Sequence, residues 1–301
     1  MATHLNQRAA ALARTISDAQ VIDLGVNERG SLTDGITLAR ICMADLADVR
    51  MVPGQVTDKP LPLVTVNVRQ PVAACMASQY AGWQISVNKY FAMGSGPFRA
   101  IYGREKLYDD IGCRETSDVA VGVLETSKLP DAAVIEWIAG KLDMQPSQII
   151  LLCARTASLA GGVQIAARSV ETAMHKLHEL DFDLHRVVSG YGSAPLPPVA
   201  KDDMAAIGRT NDAVLYGAQV SLFVTGDDDT LRDAGEKLPS SASRDYGKPF
   251  GEIFAGYDHD FYKIDPMLFS PAEVMLHNID TGRVHHFGKV DHDILARSFF
   301  A

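Results

Sequence analysis

Apolar and polar positions alternate along the chain in two rhythms, one of about 3.6 residues and one of two, and together they predict a mixed order of helices and strands. Leu5, Ala9, Leu12, Ala13 and Ile16 stand at helical spacing and predict a helix over 5–19. Strand-like runs follow at 36–46, 61–68 and 83–87, punctuated by Pro53-Gly54 and Lys59-Pro60 as turns. Residues 118–126 read as a strand, 131–142 as a helix, and 149–153 as a compact apolar strand of the kind buried on both faces. A long helix is expected over 159–180, then a glycine- and proline-rich loop over 189–199. A strand over 212–224, a helix over 227–238 and an irregular stretch over 240–250 come next. Residues 274–279 and 283–287 flank Asp280-Thr281-Gly282 as a hairpin, and 291–299 close as a helix. Helices and strands mixed without strict alternation indicate an α/β (α+β) fold. We divide it into two closely joined lobes, 1–155 and 156–301, with the site in the cleft between them.

Bulk properties narrow the class. With 301 residues, 47% hydrophobic and 22% charged, the chain can bury a core without staples. A formal net charge of -9 argues against a nucleic-acid surface, which needs a concentrated basic stripe. Cys42, Cys75, Cys113 and Cys153 stand far apart, with no metal-finger or redox spacing, and read as free thiols of a reducing compartment. Residues 1–8 lack the apolar core of a signal peptide, and no stretch reaches the ~18 apolar residues of a membrane span. The expected location is the cytoplasm.

Candidate chemistry concentrates in residues 156–177. At about 100° per residue, Val163, Ala166, Ala167, Val170, Met174 and Leu177 share one face and predict the core stripe. Arg168, Glu171, His175 and His178 form a polar stripe beside it. Burial would raise the glutamate's pKa and the guanidinium would lower it, a balance suited to acid–base work. Arg and Glu three apart are also the usual pattern of a surface ion pair, and spacing alone favours that simpler reading. Met93-Gly94-Ser95-Gly96-Pro97 suits either a loop that a ligand approaches closely or an ordinary tight turn. Gly208-Arg209-Thr210-Asn211-Asp212 suits helix capping or ligand binding. Asp258-His259-Asp260 and Asp291-His292-Asp293 have metal-ligand residue types but lack helical His-x-x-x-His spacing, so turn or cap roles fit better.

These residues resemble a known family. Gln164, Arg168, Val170-Glu171-Thr172 and His175-Lys176 are similar to the signature helix of the methenyltetrahydromethanopterin cyclohydrolases. So are the blocks at 90–97, 191–199, 208–217 and 257–271, which keep their order over most of the chain. The resemblance, to a bacterial-type member, implies reversible hydrolysis of a 5,10-methenyl cation to a 5-formyl pterin, within formaldehyde oxidation. It implies Glu171 as the base that activates water and Arg168 as the group that orients it. It places Ser95, Gly96, Pro97, Lys248 and Phe250 at the pterin, and it implies a homotrimer. No cofactor or metal is expected, the tetrahydromethanopterin derivative being both substrate and one-carbon carrier, and no nucleic-acid or membrane partner. The rival readings are a non-catalytic reduced-pterin binding protein, and a metal-dependent amidohydrolase using Asp258, His259, Asp260 or the C-terminal histidines.

Overall fold

The computed structural model describes residues 13–301. Its strands form two six-stranded sheets and a short hairpin, β4 (Gln55–Val56) with β5 (Lys59–Pro60). The first sheet holds, in spatial order, β1 (Ala13–Ile16), β2 (Ala19–Gly25), β10 (Ile149–Ala154), β9 (Ala120–Glu125), β8 (Tyr90–Ser95) and β7 (Trp83–Val87). Its centre, β2–β10–β9, is parallel, and the remaining strands run antiparallel. The second sheet holds β14 (Val284–Gly288), β13 (Glu273–Asn278), β12 (Gln219–Val224), β11 (Val187–Pro195), β6 (Leu63–Val68) and β3 (Ala47–Val52). Only β12 and β13 are parallel there. That sheet draws β3 and β6 from the first half of the chain and the rest from the second.

Parallel strands must be covered on both faces. One face of the first sheet is covered by α4 (Ala132–Leu142), whose Val134, Ile135 and Ile138 pack with Val21, Ile85, Leu124 and Leu151. On the other face Ile22, Leu24 and Leu152 meet Leu38 of α1 (Leu32–Cys42) and Ala160 of α5 (Leu159–Ala166). The opposite side of this helical layer packs on the second sheet. There Val163, Ala166, Val170 and Met174 join Val64, Val66, Leu222 and Leu276 in the largest core, with the last two helical residues supplied by α6 (Ser169–Glu179). A π-helix, Val72–Gln79, and the short helices α2 (Phe98–Tyr102) and α3 (Leu107–Ile111) close one side of this layer. Local signals support these elements. Ser31, Asp131 and Ser158 each accept a first-turn amide as N-caps of α1, α4 and α5.

Beyond the second sheet's β11, α7 (Asp203–Leu215) packs with α9 (Phe250–Gly256) and α10 (His292–Phe300) around a third core, while α8 (Asp228–Gly235) lies on β13 and β14. Asp212, 1% exposed, ties this corner together by accepting from the Phe250 amide (2.7 Å) and the Ser298 hydroxyl (2.5 Å). Burial pushes its carboxyl up to about 7. The folded state therefore holds the proton more tightly than the unfolded chain does. This contribution to stability is complete below the ordinary aspartate pKa and is lost as pH rises through about 7. Asp212→Asn keeps the bond from the Phe250 amide, reverses the one with Ser298, to whose hydroxyl oxygen its Nδ2 donates, and removes the buried charge. It is expected to raise stability at pH 8 by on the order of 2–4 kcal/mol and to change little at pH 4, which thermal melts at the two pH values will read.

Several expected elements differ in the structure. Residues 36–46 are not a strand; α1 occupies most of them, begun by the Ser31 cap. The expected loop at 189–199 is largely β11, paired on both edges with β6 and β12. Its glycines are needed for space, because a Cβ at Gly190 would lie 2.7 Å from Val170, and one at Gly192 2.4 Å from the Ser169 hydroxyl. Within 212–224 the first residues end α7, and the strand begins only at Gln219. The expected helix over 5–19 lies outside the described residues up to 12, while Ala13–Ile16 and Ala19–Gly25 are strands. Among the described residues no helix is long and apolar enough to cross a membrane.

Candidate functional site

The long helix expected over 159–180 is two helices, broken at Ala167 and Arg168. At the break the Arg168 amide bonds the Ile165 carbonyl (2.9 Å), three residues back, instead of continuing the four-residue ladder. The cause is tertiary. Arg168 is drawn toward the ends of β8 and the π-helix, where its Nη1 donates to the Gln79 carbonyl (2.7 Å) and its Nη2 to the Ser95 hydroxyl (2.9 Å). Nε and Nη2 also reach Gln164 Oε1, at 3.3 and 3.1 Å. Gln79 grips the break from the other side, its amide donating to the Ala167 carbonyl (3.1 Å). A planar fork with every arm occupied has one orientation.

Glu171 stands in the first turn of α6, where the helix dipole favours a negative charge. Its carboxylate lies 3.6 Å from Arg168 Nη1 and is 4% exposed. Burial raises its pKa to about 6, while Arg168 and, next, Arg99 hold it from going higher. A buried glutamate poised near neutrality can take a proton and return it. Arg99, fully buried, pairs with Glu105 through Nη2 (2.7 Å) and Nε (3.1 Å), and its Nη1 faces the Met76, Ala77 and Ser78 carbonyls at 3.2–3.5 Å. One guanidinium thus caps the π-helix whose last residue holds Arg168.

The polar stripe read from the sequence divides in space. His175 stacks on Tyr80 with ring centres 4.8 Å apart, and burial lowers its pKa. His178 turns away to Asp110 of α3 (3.1 Å). Lys176 is fully buried and donates to the Met267 carbonyl, burial pulling its pKa down to about 8. The core stripe from Val163 to Leu177 is buried throughout.

Among the remaining sequence candidates, Ser95 joins Arg168 directly. Gly96 follows with φ +104°, a conformation reserved for glycine, and turns the chain from β8 so that its amide meets the Ser78 carbonyl (2.7 Å). Pro97 then opens α2. Lys248 and Phe250 are not brought to this group. Lys248 is exposed, and Phe250 is buried among Phe254, Phe261 and Phe269. Asp258 and His259 occupy a left-handed turn, and among the described residues no three His, Cys, Asp or Glu side chains gather as a metal site.

Sequence reasoning missed Gln79, Arg99 and the chain that continues from Gln164. Gln164 Nε2 donates to Glu125 Oε2 (3.2 Å) at the end of β9, and the Thr156 hydroxyl donates to Glu125 Oε1 (2.6 Å). Only Gln164, four residues before Arg168 on the same face, carried a usable signal. Thr156 in turn lines a cavity of about 260 Å³ walled by Leu32, Pro62, Leu159, Leu196 and Pro197. It lies where ligands bind in open α/β sheets, outside the carboxyl ends of parallel strands.

A buried carboxylate poised near neutrality and braced by a fixed guanidinium is an arrangement suited to acid–base chemistry. The chain belongs to the cyclohydrolase family: the family model described as Cyclohydrolase (MCH) matches residues 2–299. It is 48% identical over 293 residues to the methenyltetrahydromethanopterin cyclohydrolase of Rhodopirellula baltica, covering 96% of this chain and 88% of the relative. The protein of that name from Xanthobacter autotrophicus is 48% identical over 288 residues, 96% of this chain and 86% of the relative. That of Methanoculleus marisnigri is 42% identical over 282 residues, 93% and 89%.

Proposed function

We propose that this chain catalyses the reversible hydrolysis of 5,10-methenyltetrahydromethanopterin to the 5-formyl derivative, with Glu171 as the base. The observation that carries the base assignment is the buried Glu171–Arg168 pair, its guanidinium fixed by Gln79, Ser95 and Gln164. The methenyl carbon of the substrate is a cyclic amidinium carbon and is already electrophilic. Water adds to it as Glu171 takes one of the water's protons. The bond from that carbon to N10 then breaks, with its electron pair and the proton returned from Glu171 going to N10. The second water proton leaves as the formyl carbonyl forms, so a cation and water give a neutral product and one proton. Arg168 holds the water and the carboxylate in line, and Ser95, Gly96 and Pro97 border the place of the reacting ring. Lys248 and Phe250, which share no contact with this group, have no part in this reading of one subunit.

Cytoplasmic residence, a homotrimer and a place in formaldehyde oxidation belong to the same reading. The four free cysteines support the first, and the resemblance to bacterial-type cyclohydrolases supports the other two.

Opening the cation destroys its conjugated chromophore, so the test is loss of its absorbance on mixing with the purified protein. Bleaching that survives exhaustive chelation is the expected result, and none from folded protein removes the assignment. The pH dependence follows from Glu171. The base works ionised, so kcat should fall tenfold per unit below about pH 6 and level off above it. A pH–rate profile flat from 4.5 to 7 would detach Glu171 from the rate.

A further inference from the structure

In the corner that holds the acid–base pair, two guanidinium groups already have carboxylate partners: Arg168 faces Glu171 and Arg99 is held by Glu105. Glu125 has no such partner. Both its side-chain hydrogen bonds come from neutral groups, the Thr156 hydroxyl and the Gln164 amide, and among the described residues it forms no ion pair. The nearest positive charge along this chain of bonds is Arg168, one side chain removed through Gln164 Oε1 and already matched by Glu171. Arg155, next to Thr156, is occupied by Asp203 at 3.0 Å. Glu125 is half-buried at the carboxyl end of β9, paired in register with Ala154 of β10 and Met93 of β8. It stands between Thr156 in the cavity wall and Gln164 beside Arg168.

A half-buried carboxylate fixed by neutral donors leaves its surroundings with an excess negative charge, costly unless a cation arrives. The two forms of the proposed substrate differ in this property. The methenyl form is a delocalised cation and the formyl form is neutral. We propose that Glu125 is the counter-ion of the cationic substrate, a specificity residue that makes the site prefer the methenyl form over the formyl product. This rests on the function proposed for the site. A charge of this kind stabilises the bound cation more than the transition state, in which positive charge is already fading, so in hydrolysis its loss should raise KM and leave kcat unchanged or somewhat higher. In the reverse direction it favours ring closure.

The test measures affinity for both forms with turnover suppressed. In a Glu171→Gln background, 5,10-methenyltetrahydromethanopterin and its 5-formyl derivative are titrated with and without the further change Glu125→Gln. Loss of the charge should weaken binding of the methenyl form by ~10–100-fold, the reach of one nearby charge at a partly buried site, and change the formyl form by no more than about twofold. Glu125→Asp, which keeps the charge, should keep most of the preference. Thr156→Val removes one hydrogen bond but not the charge and should keep it too. Equal weakening of both forms means that Glu125 only holds Gln164 and Arg168 in place, and the proposal fails. It also fails if neither affinity moves, or if Thr156→Val abolishes the preference as fully as Glu125→Gln. Any of these failures beside a wild-type protein that bleaches the methenyl cation leaves the proposed activity standing. A wild-type protein that neither binds nor bleaches it overturns both.

Discussion

Replacing Glu171 with glutamine should lower kcat for opening the methenyl cation by about 10²–10⁴, the span a general base contributes, with KM changed far less. The substitution is nearly isosteric and removes a carboxylate whose burial, opposed by Arg168 and Arg99, raises its pKa to about 6, so the fold should persist. Circular dichroism and the melting temperature check that directly. The split between kcat and KM is the informative part. Glutamine fills the same space beside Arg168, but it cannot accept the proton of the attacking water. A variant retaining more than about a tenth of wild-type kcat would move the base elsewhere, with Glu125 the next carboxylate along the hydrogen-bond chain.

The second large effect belongs to Arg168→Lys. Charge is conserved and the fork is lost. Lysine offers its donors from one atom and cannot reach the Gln79 carbonyl, the Ser95 hydroxyl and Gln164 Oε1 together, as the guanidinium does. Turnover is expected to fall about 10²-fold. Stability should fall by roughly 1–3 kcal/mol, because buried acceptors are left without donors. The acid limb of the pH–rate profile should move only slightly above 6, because the conserved charge, the largest influence holding the Glu171 pKa down, stays and only the smaller directional contribution of the guanidinium is lost. An unshifted limb together with wild-type turnover would mean that Arg168 has only a structural part.

What the sequence made legible follows the physics of local signals. β9, β10, α4 and the β13–β14 hairpin were all readable, because each carries a clean apolar period bounded by a cap or turn. At 36–46 the β-branched Ile36, Thr37 and Ile41 imitate a strand, while the helix start signal lies upstream at Ser31, whose hydroxyl accepts the Asp34 amide. β11 was hidden for another reason. Its glycines and prolines look like loop residues, but they are there to let α6 approach. The site shows the same division. Arg168 and Glu171 are three residues apart and could be paired by spacing. The groups that fix Arg168 could not: Ser95 is 73 residues away and Gln79 89, the latter acting through a backbone carbonyl that no residue type announces. Nothing in residues 165–169 marks the helix break, because its cause lies in those distant partners.

The π-helix Val72–Gln79 has a consequence for how this chain can change in length over time. A segment wound with the wider π ladder carries more residues than an α-helix across the same gap. Deleting any one of them would let the winding relax and turn its last residue by about 100°. The Gln79 carbonyl would then leave Arg168, and the Ser78 carbonyl would leave Gly96. The exposed turn around Gly282, far from these contacts, could gain or lose a residue at the cost of one hairpin end. Insertions and deletions in descendants of this sequence should therefore gather at such turns, while the count of residues from 72 to 79 stays fixed even where their identities drift.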